Sequence, residues 1–245
     1  LLSFVFAAQL AALILFVFNA DRLSVMFVGA MCAVGTLNVN AYGFPSLIVQ
    51  MLVFFFAAMW LAINHVDTRA PDYPLVRAKY ALLLLLLPLL LLNFWLEFQY
   101  FLGLKANVIT SCCGSMFSEE APTIASEATA MEAVPAMYLF YGGMAAVIAN
   151  AVWHWRRAGR LSGWLLAVGS AGGFVVAIAG VLAFISLYIY EHPHHHCPFC
   201  VLKPEYDYRG YWLYVPLFTA TATGLGAGVL QAFARVPSLR DIIPT

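Results

Sequence analysis

The chain has 245 residues, 63% of them hydrophobic and only 10% charged, against roughly a quarter charged in a soluble domain. Lys and Arg together number 12, as do Asp and Glu, so the formal net charge is zero and no basic excess exists for gripping nucleic acid. With a mean hydropathy of +0.86, this is the composition of an integral membrane protein whose first partner is the lipid bilayer.

A helix needs about 20 apolar residues to cross the hydrocarbon. Runs of that kind cover Leu1 to Phe18, Leu23 to Tyr42, Phe44 to Asn64, Tyr80 to Leu102, Ala133 to Trp155, Ser162 to Tyr190 and Tyr211 to Ala234. They predict an all-α, polytopic bundle of about seven transmembrane helices with no soluble domain. The first run begins at residue 1 without an initiator Met, so the natural chain is expected to start further upstream.

The first run is apolar all round, as a lipid-facing helix is. The second carries Gly35, Thr36, Asn38 and Asn40 at one end, read as a polar head-group contact. Cys32 lies among its apolar residues and reads as a small packing side chain. The third run ends in Asn64-His65, and the loop 67–79, with Pro71 and Pro74, is the expected internal boundary. It separates three N-terminal helices (1–66) from a four-helix bundle (80–245). The fourth run is a leucine stretch broken at Pro88, followed by Asn93 and Glu97. An ionisable residue inside a span is costly and is a functional candidate by default. Glu97 either moves protons near the cysteines or is wetted at the outer surface.

Beyond it lies the loop 103–132, with the vicinal pair Cys112-Cys113 and then a stretch from Ser118 whose caps and acids predict a short surface helix. The fifth run closes on Trp153-His154-Trp155-Arg156-Arg157, an interfacial anchor. Glycines in the sixth and glycines and threonines in the seventh favour close helix approach. Between those two runs stands Glu191-His-Pro-His-His-His-Cys-Pro-Phe-Cys200, four histidines and a C-x-x-C pair within ten residues.

Short-loop Lys and Arg mark the cytoplasmic side. With seven alternating spans, Arg22, Arg69, Arg77, Lys79, Arg156, Arg157, Arg160, Arg235 and Arg240 fall on one side and Lys105, Lys203 and Arg209 on the other. This predicts the N-terminus outside, the C-terminus inside and both cysteine loops (103–132 and 191–210) extracytoplasmic, as in a bacterial inner membrane. There disulfides can form and persist. The two cysteine loops are expected to face each other.

A C-x-x-C pair supplies a nucleophilic thiol or a metal ligand, and a second pair on the same face suits a disulfide relay. The order of parts from helix four onward, with a loop cysteine pair after one helix and Cys197-Pro-Phe-Cys200 before the last, resembles the vitamin K epoxide reductase and DsbB-type membrane oxidoreductases. The resemblance implies that Cys197 and Cys200 are a redox pair beside a quinone. It further implies that Cys112 and Cys113 pass electrons from a soluble extracytoplasmic thiol protein, and that Lys203 or Arg209 is the basic residue near the C-x-x-C. This chain differs in its adjacent loop cysteines, its histidine lead-in and its three additional N-terminal helices. A second reading is a metal site for copper, zinc or iron, drawn from His194, His195, His196, Cys197, Cys200, Cys112 and Cys113, with Met116 in reach. Such a site suits a membrane subunit of a larger respiratory or electron-transfer complex. A third is structural, with a disulfide pinning each loop.

Overall fold

The computed structural model describes residues 1–105, 107–110, 132–192 and 195–243, and the described chain is helical apart from one isolated backbone bridge. The elements are α1 (Leu2–Leu23), a short α2 (Ala33–Leu37), α3 (Gly43–Asp67) and α4 (Val76–Leu102). They are followed by α5 (Ala133–Arg156), α6 (Arg160–Tyr190) and α7 (Arg209–Gln231). All but α2 are long and apolar enough to cross a membrane, so the described residues hold six candidate spans.

The second expected span is the one that does not form. Residues 24–42 break into a 3-10 turn at Ser24–Met26, an extended piece and α2. Gly29 sits at φ +88°, and a Cβ there would lie 2.0 Å from the Thr110 carbonyl oxygen. That close approach allows the Thr110 N–H to donate to the Val28 carbonyl at 3.0 Å and the Thr110 hydroxyl to donate to the Gly35 carbonyl at 2.9 Å. Asn40 donates from Nδ2 to the Tyr100 carbonyl at 3.0 Å. Gly35 and Asn40, which resembled part of a head-group end, help hold an irregular segment that is buried over residues 32–37; non-helical backbone at such a place is tolerated only when protein satisfies its polar groups.

The bundle has two halves. One is α1, α3 and α4; the other is α5, α6 and α7; α3 packs on α7 to join them. The joint is aromatic, with Phe55 stacked on Phe218 at 5.5 Å and Phe174 edge-on to Phe218 at 5.0 Å. Within the second half, α6 and α7 approach closely where Gly228 meets Ala167 and the Gly163 carbonyl, since a Cβ there would lie 2.4 Å from the Ala167 Cβ. The connection at 68–75 is tied to both helices it joins, because Asp67 of α3 pairs with Lys79 of α4 at 2.6 Å.

Losing one span changes which ends meet. Ser3 accepts a hydrogen bond from Asn64 at the far end of α3, and Leu239 and Ile243 pack with Ile63, Val66 and Leu75 there. Both ends of the described chain therefore lie at the same end of the bundle, opposite the cysteines. Residues 24–42 stay at the cysteine end, so α3 starts where α1 stops and runs back alongside it.

Candidate functional site

The C-x-x-C follows directly from the end of α6. The helix widens into a π turn over Val181–Ile185, a distortion that loosens the regular ladder and recurs at functional sites. There the Leu182 carbonyl lies 2.7 Å from the His196 Nδ1. A carbonyl can only accept, so Nδ1 carries the proton and donates. Tyr190, at the last turn, donates its hydroxyl to the Cys197 carbonyl. Tyr214 of α7 donates to the Pro198 carbonyl at 2.7 Å. Cys200 then opens a 3-10 turn, with the Lys203 N–H donating to its carbonyl at 3.0 Å. Backbone groups around the motif are thus fixed from α6, from α7 and from within.

Against this turn lies a cysteine from far away in the chain. Cys32, immediately before α2, places its Sγ 3.4 Å from the Cys197 Sγ. The sulfur atoms of Cys32, Cys197 and Cys200 all lie within 4.8 Å of one another, and all three residues are buried. At 3.4 Å the Cys32 and Cys197 sulfurs are in contact but well beyond the length of a disulfide bond. Among the described residues this is the one group of three or more Cys, His, Asp or Glu ligand atoms at that spacing. Cys32 is buried among apolar side chains, as a packing residue would be, but in extended backbone before α2 and against the C-x-x-C.

The segment carrying Cys32 is held by charge. Asp21, near the end of α1, accepts from the Ala33 N–H at 3.2 Å, and Lys203 lies 4.0 Å from the same carboxylate oxygen. Lys203 also donates to the Met31 carbonyl. Lys203 therefore bridges the loop after the C-x-x-C to the residue before Cys32. Around the sulfurs stand Val34, Tyr190 and Val201, with Phe44, Phe199, Leu202, Tyr206 and Tyr214 packed outside them, an apolar shell with phenol tips.

The histidines occupy the rim. His195 stacks on Tyr190 with ring centroids 4.1 Å apart. Burial pushes the His195 imidazole below its ordinary value, so it is neutral at pH 7. Burial first, and the Cys200 sulfur second, push the Tyr206 phenol up, leaving it a neutral donor. Of the other residues singled out in the sequence, Arg209 pairs with Asp207 at 3.4 Å on the exposed surface. Glu97 belongs to a separate cluster with Gln50 and Asn93. Cys112, Cys113, Met116, His194 and the expected surface helix after Ser118 lie outside the described residues.

Sequence reasoning missed Cys32 and Asp21. A signal for both existed: Gly29, Gly35, Asn38, Asn40 and Gly43 within fifteen residues of 29–43 form a density of helix-breaking and turn-forming types that disfavours a regular helix. No protein-family model matches this chain, and neither a curated protein nor a solved structure is significantly similar to it.

Proposed function

We propose that Cys32, Cys197 and Cys200 form a thiolate site for a soft metal ion, with copper(I) the best match and zinc the next. One observation carries this: three buried sulfur atoms from two distant segments converge within 4.8 Å. A metal with bonds of about 2.3 Å to sulfur requires sulfur atoms roughly 3.8 to 4.0 Å apart in tetrahedral or trigonal coordination, and the observed 3.4 Å contact between Cys32 and Cys197 is within a small side-chain adjustment of that. Thiolates select copper(I), zinc and iron–sulfur groups over hard ions. Lys203 offsets part of the negative charge that three thiolates would bring.

The chemistry follows from the protein's own groups. Binding requires the thiols to lose their protons, and Asp21 with Lys203 holds Cys32 in position while this happens. The tyrosine and valine shell keeps water away, which strengthens ionic attraction at the site. With six spans, Arg69, Arg77, Lys79, Arg156, Arg157, Arg160, Arg235 and Arg240 share the end that holds the chain termini. Arg22, Lys105, Lys203 and Arg209 share the cysteine end. By the charge rule the cysteine end is extracytoplasmic, as in a bacterial inner membrane, where the protein would hold or hand on an incoming metal ion or serve as a subunit of an electron-transfer complex.

A second reading rests on the same 3.4 Å contact. A Cys32 thiolate is placed to attack Cys197 of a Cys197–Cys200 disulfide, forming a Cys32–Cys197 bond and releasing the Cys200 thiolate. This exchange leaves the oxidation level unchanged; a soluble dithiol protein would then reduce the Cys32–Cys197 disulfide, becoming a disulfide itself, and a quinone would reoxidise the cysteine pair so formed, taking its two electrons and two protons to become the quinol. One experiment separates the two. Protein purified anaerobically with copper(I) or zinc is assayed for bound metal, and its cysteines are mapped by alkylation and mass spectrometry before and after chelation. The metal reading expects one ion per chain, lost in Cys32→Ser, and thiols that become alkylatable only after chelation. Full occupancy in Cys32→Ser would overturn it. Disulfides among Cys32, Cys197, Cys200, Cys112 and Cys113 that open with a quinol would establish the redox reading instead.

A further inference from the structure

The hairpin of α5 and α6 turns at the end of the bundle opposite the cysteines, where Gly163 of α6 meets Gln231 at the close of α7. The turn carries Arg156, Arg157 and Arg160, all exposed. Between Glu132 and Glu191 the chain has no Asp or Glu, and none of the ion pairs among the described residues uses these arginines. The turn is fixed from within. Arg157 donates its N–H to the Trp153 carbonyl at 2.8 Å, and Gly163 donates its own to the Gly159 carbonyl at 2.9 Å. The Ser162 hydroxyl donates to the Gly159 carbonyl at 3.0 Å and lies 2.8 Å from the His154 Nδ1. Trp155 and Trp164 flank the turn, 84% and 51% exposed, as aromatic side chains do at the level of lipid head groups.

From this turn an apolar groove runs between the two helices. Its volume is about 620 Å³, within the roughly 300–1,000 Å³ of small-molecule sites. Gly143, Ala146, Gly169, Gly172 and Gly173 line it, and Trp153 stands at the arginine end. Missing side chains give it depth: a Cβ at Gly172 would meet nothing within 4 Å. Along α5 the lining runs from Trp153 back to Gly143, about 15 Å at 1.5 Å per residue. Beyond Gly143 the space is filled, because Phe140 packs on Gly180 and its ring lies 5.6 Å from that of Phe184. The groove is therefore half as long as the hydrocarbon layer of about 30 Å is thick. It serves one leaflet, from the charged surface to the midplane, whereas a partner's spanning helix calls for a face that runs through both.

We propose that this face binds one anionic phospholipid, its phosphate held by the arginines of the turn and one acyl chain laid in the α5–α6 groove. It shares no residue with the metal site. Guanidinium groups grip phosphate oxygens through two parallel N–H donors, and no carboxylate in the hairpin competes for them. The start of α6 has no side-chain cap and no acid in its first turn, so its partial positive charge adds to that of the arginines. A zwitterionic lipid brings its own cation beside the phosphate and gains less from the turn. A free phosphate ion gains nothing from the groove.

The test is native mass spectrometry of the full chain released from mild detergent and titrated with dioleoylphosphatidylglycerol or dioleoylphosphatidylcholine, which carry the same acyl chains. The expected result is one phosphatidylglycerol bound per chain in preference to phosphatidylcholine. Changing Arg156, Arg157 and Arg160 to Gln should weaken phosphatidylglycerol binding by about fivefold for each arginine removed. Because the three side chains are exposed, the variant should unfold at the wild-type midpoint. Gly172→Leu keeps every arginine and fills the groove without a clash, so it should lower retention of the same lipid. Unchanged affinity in the arginine variant overturns the head-group site, and unchanged affinity in Gly172→Leu overturns the groove. Full displacement of the lipid by excess inorganic phosphate would mean that the turn binds a free anion. A dimer mass that disappears in Gly172→Leu would mean that a second copy of the chain fills the groove, and either result overturns the proposal.

Discussion

The two ends of the bundle both force polar atoms into an apolar molecule, and they do so with opposite chemistry. At the end holding the chain termini, hard groups meet hard groups. Asp67 is fully buried, receives the Leu75 N–H at 2.6 Å on one oxygen and pairs with Lys79 at 2.6 Å on the other, while Lys79 also donates to Asn64 at 3.0 Å. Trp60 donates to the Lys79 carbonyl from the same helix that bears Asp67. Each atom's capacity is used locally, across one short loop. At the cysteine end, Asp21 and Lys203 each bond to backbone and lie 4.0 Å from each other, and what converges at the centre is three soft sulfur atoms from segments 165 residues apart. The first end is a lock on one connection; the second is a gathering of sulfur atoms.

Breaking the lock gives the largest expected effect on stability. Asp67→Ala leaves the Lys79 ammonium buried to nearly nine-tenths without its anion, and removing one partner of a buried pair costs about 3–5 kcal/mol. Chemical unfolding in detergent should show that loss, while metal bound by the surviving folded protein stays at the wild-type level. A stability change below about 1 kcal/mol would mean that water already reaches Lys79 and that the pair is a surface one.

The two ends were not equally visible in the sequence. Length and hydropathy suffice for α1, α3, α4, α5, α6 and α7, because a span is a property of local composition. The segment 24–42 is also apolar on average, and its departure from a helix depends on Gly29 meeting Thr110 and on Asn40 reaching Tyr100, contacts made across the fold. Cys197 and Cys200 announce themselves by spacing, whereas Cys32 looks like any buried thiol until the fold places it. The histidines dominate the motif by number, yet His196 spends a ring nitrogen on the Leu182 carbonyl exposed by a π turn, and nothing in a hydropathy pattern reveals a π turn. Glu97 was conspicuous from the start; its partner Gln50 was not, since a glutamine in an apolar run carries no charge to mark it.

The proposed metal site at the sulfurs can be sharpened by substitutions around them. Lys203→Gln removes the cation beside Asp21 and weakens the tie to the Met31 carbonyl. Lys203 and Asp21 are partly solvated, so the effect on stability is small, but the thiolates lose compensating charge and Cys32 its tether. Metal affinity measured against a graded chelator series should fall by roughly tenfold, about 1.4 kcal/mol. Unchanged affinity would show that the tyrosine shell and backbone alone hold the site. The smallest effect on the metal belongs to His196→Ala. Its loss takes one hydrogen bond from the Leu182 carbonyl, about 1 kcal/mol of stability, but removes none of the three sulfur ligands. Bound metal should therefore remain at one ion per chain, with the X-ray absorption edge spectrum of an all-sulfur shell. A drop in occupancy, or a lost nitrogen scatterer, would show that the imidazole rotates from Leu182 to the ion and that the shell is not sulfur alone.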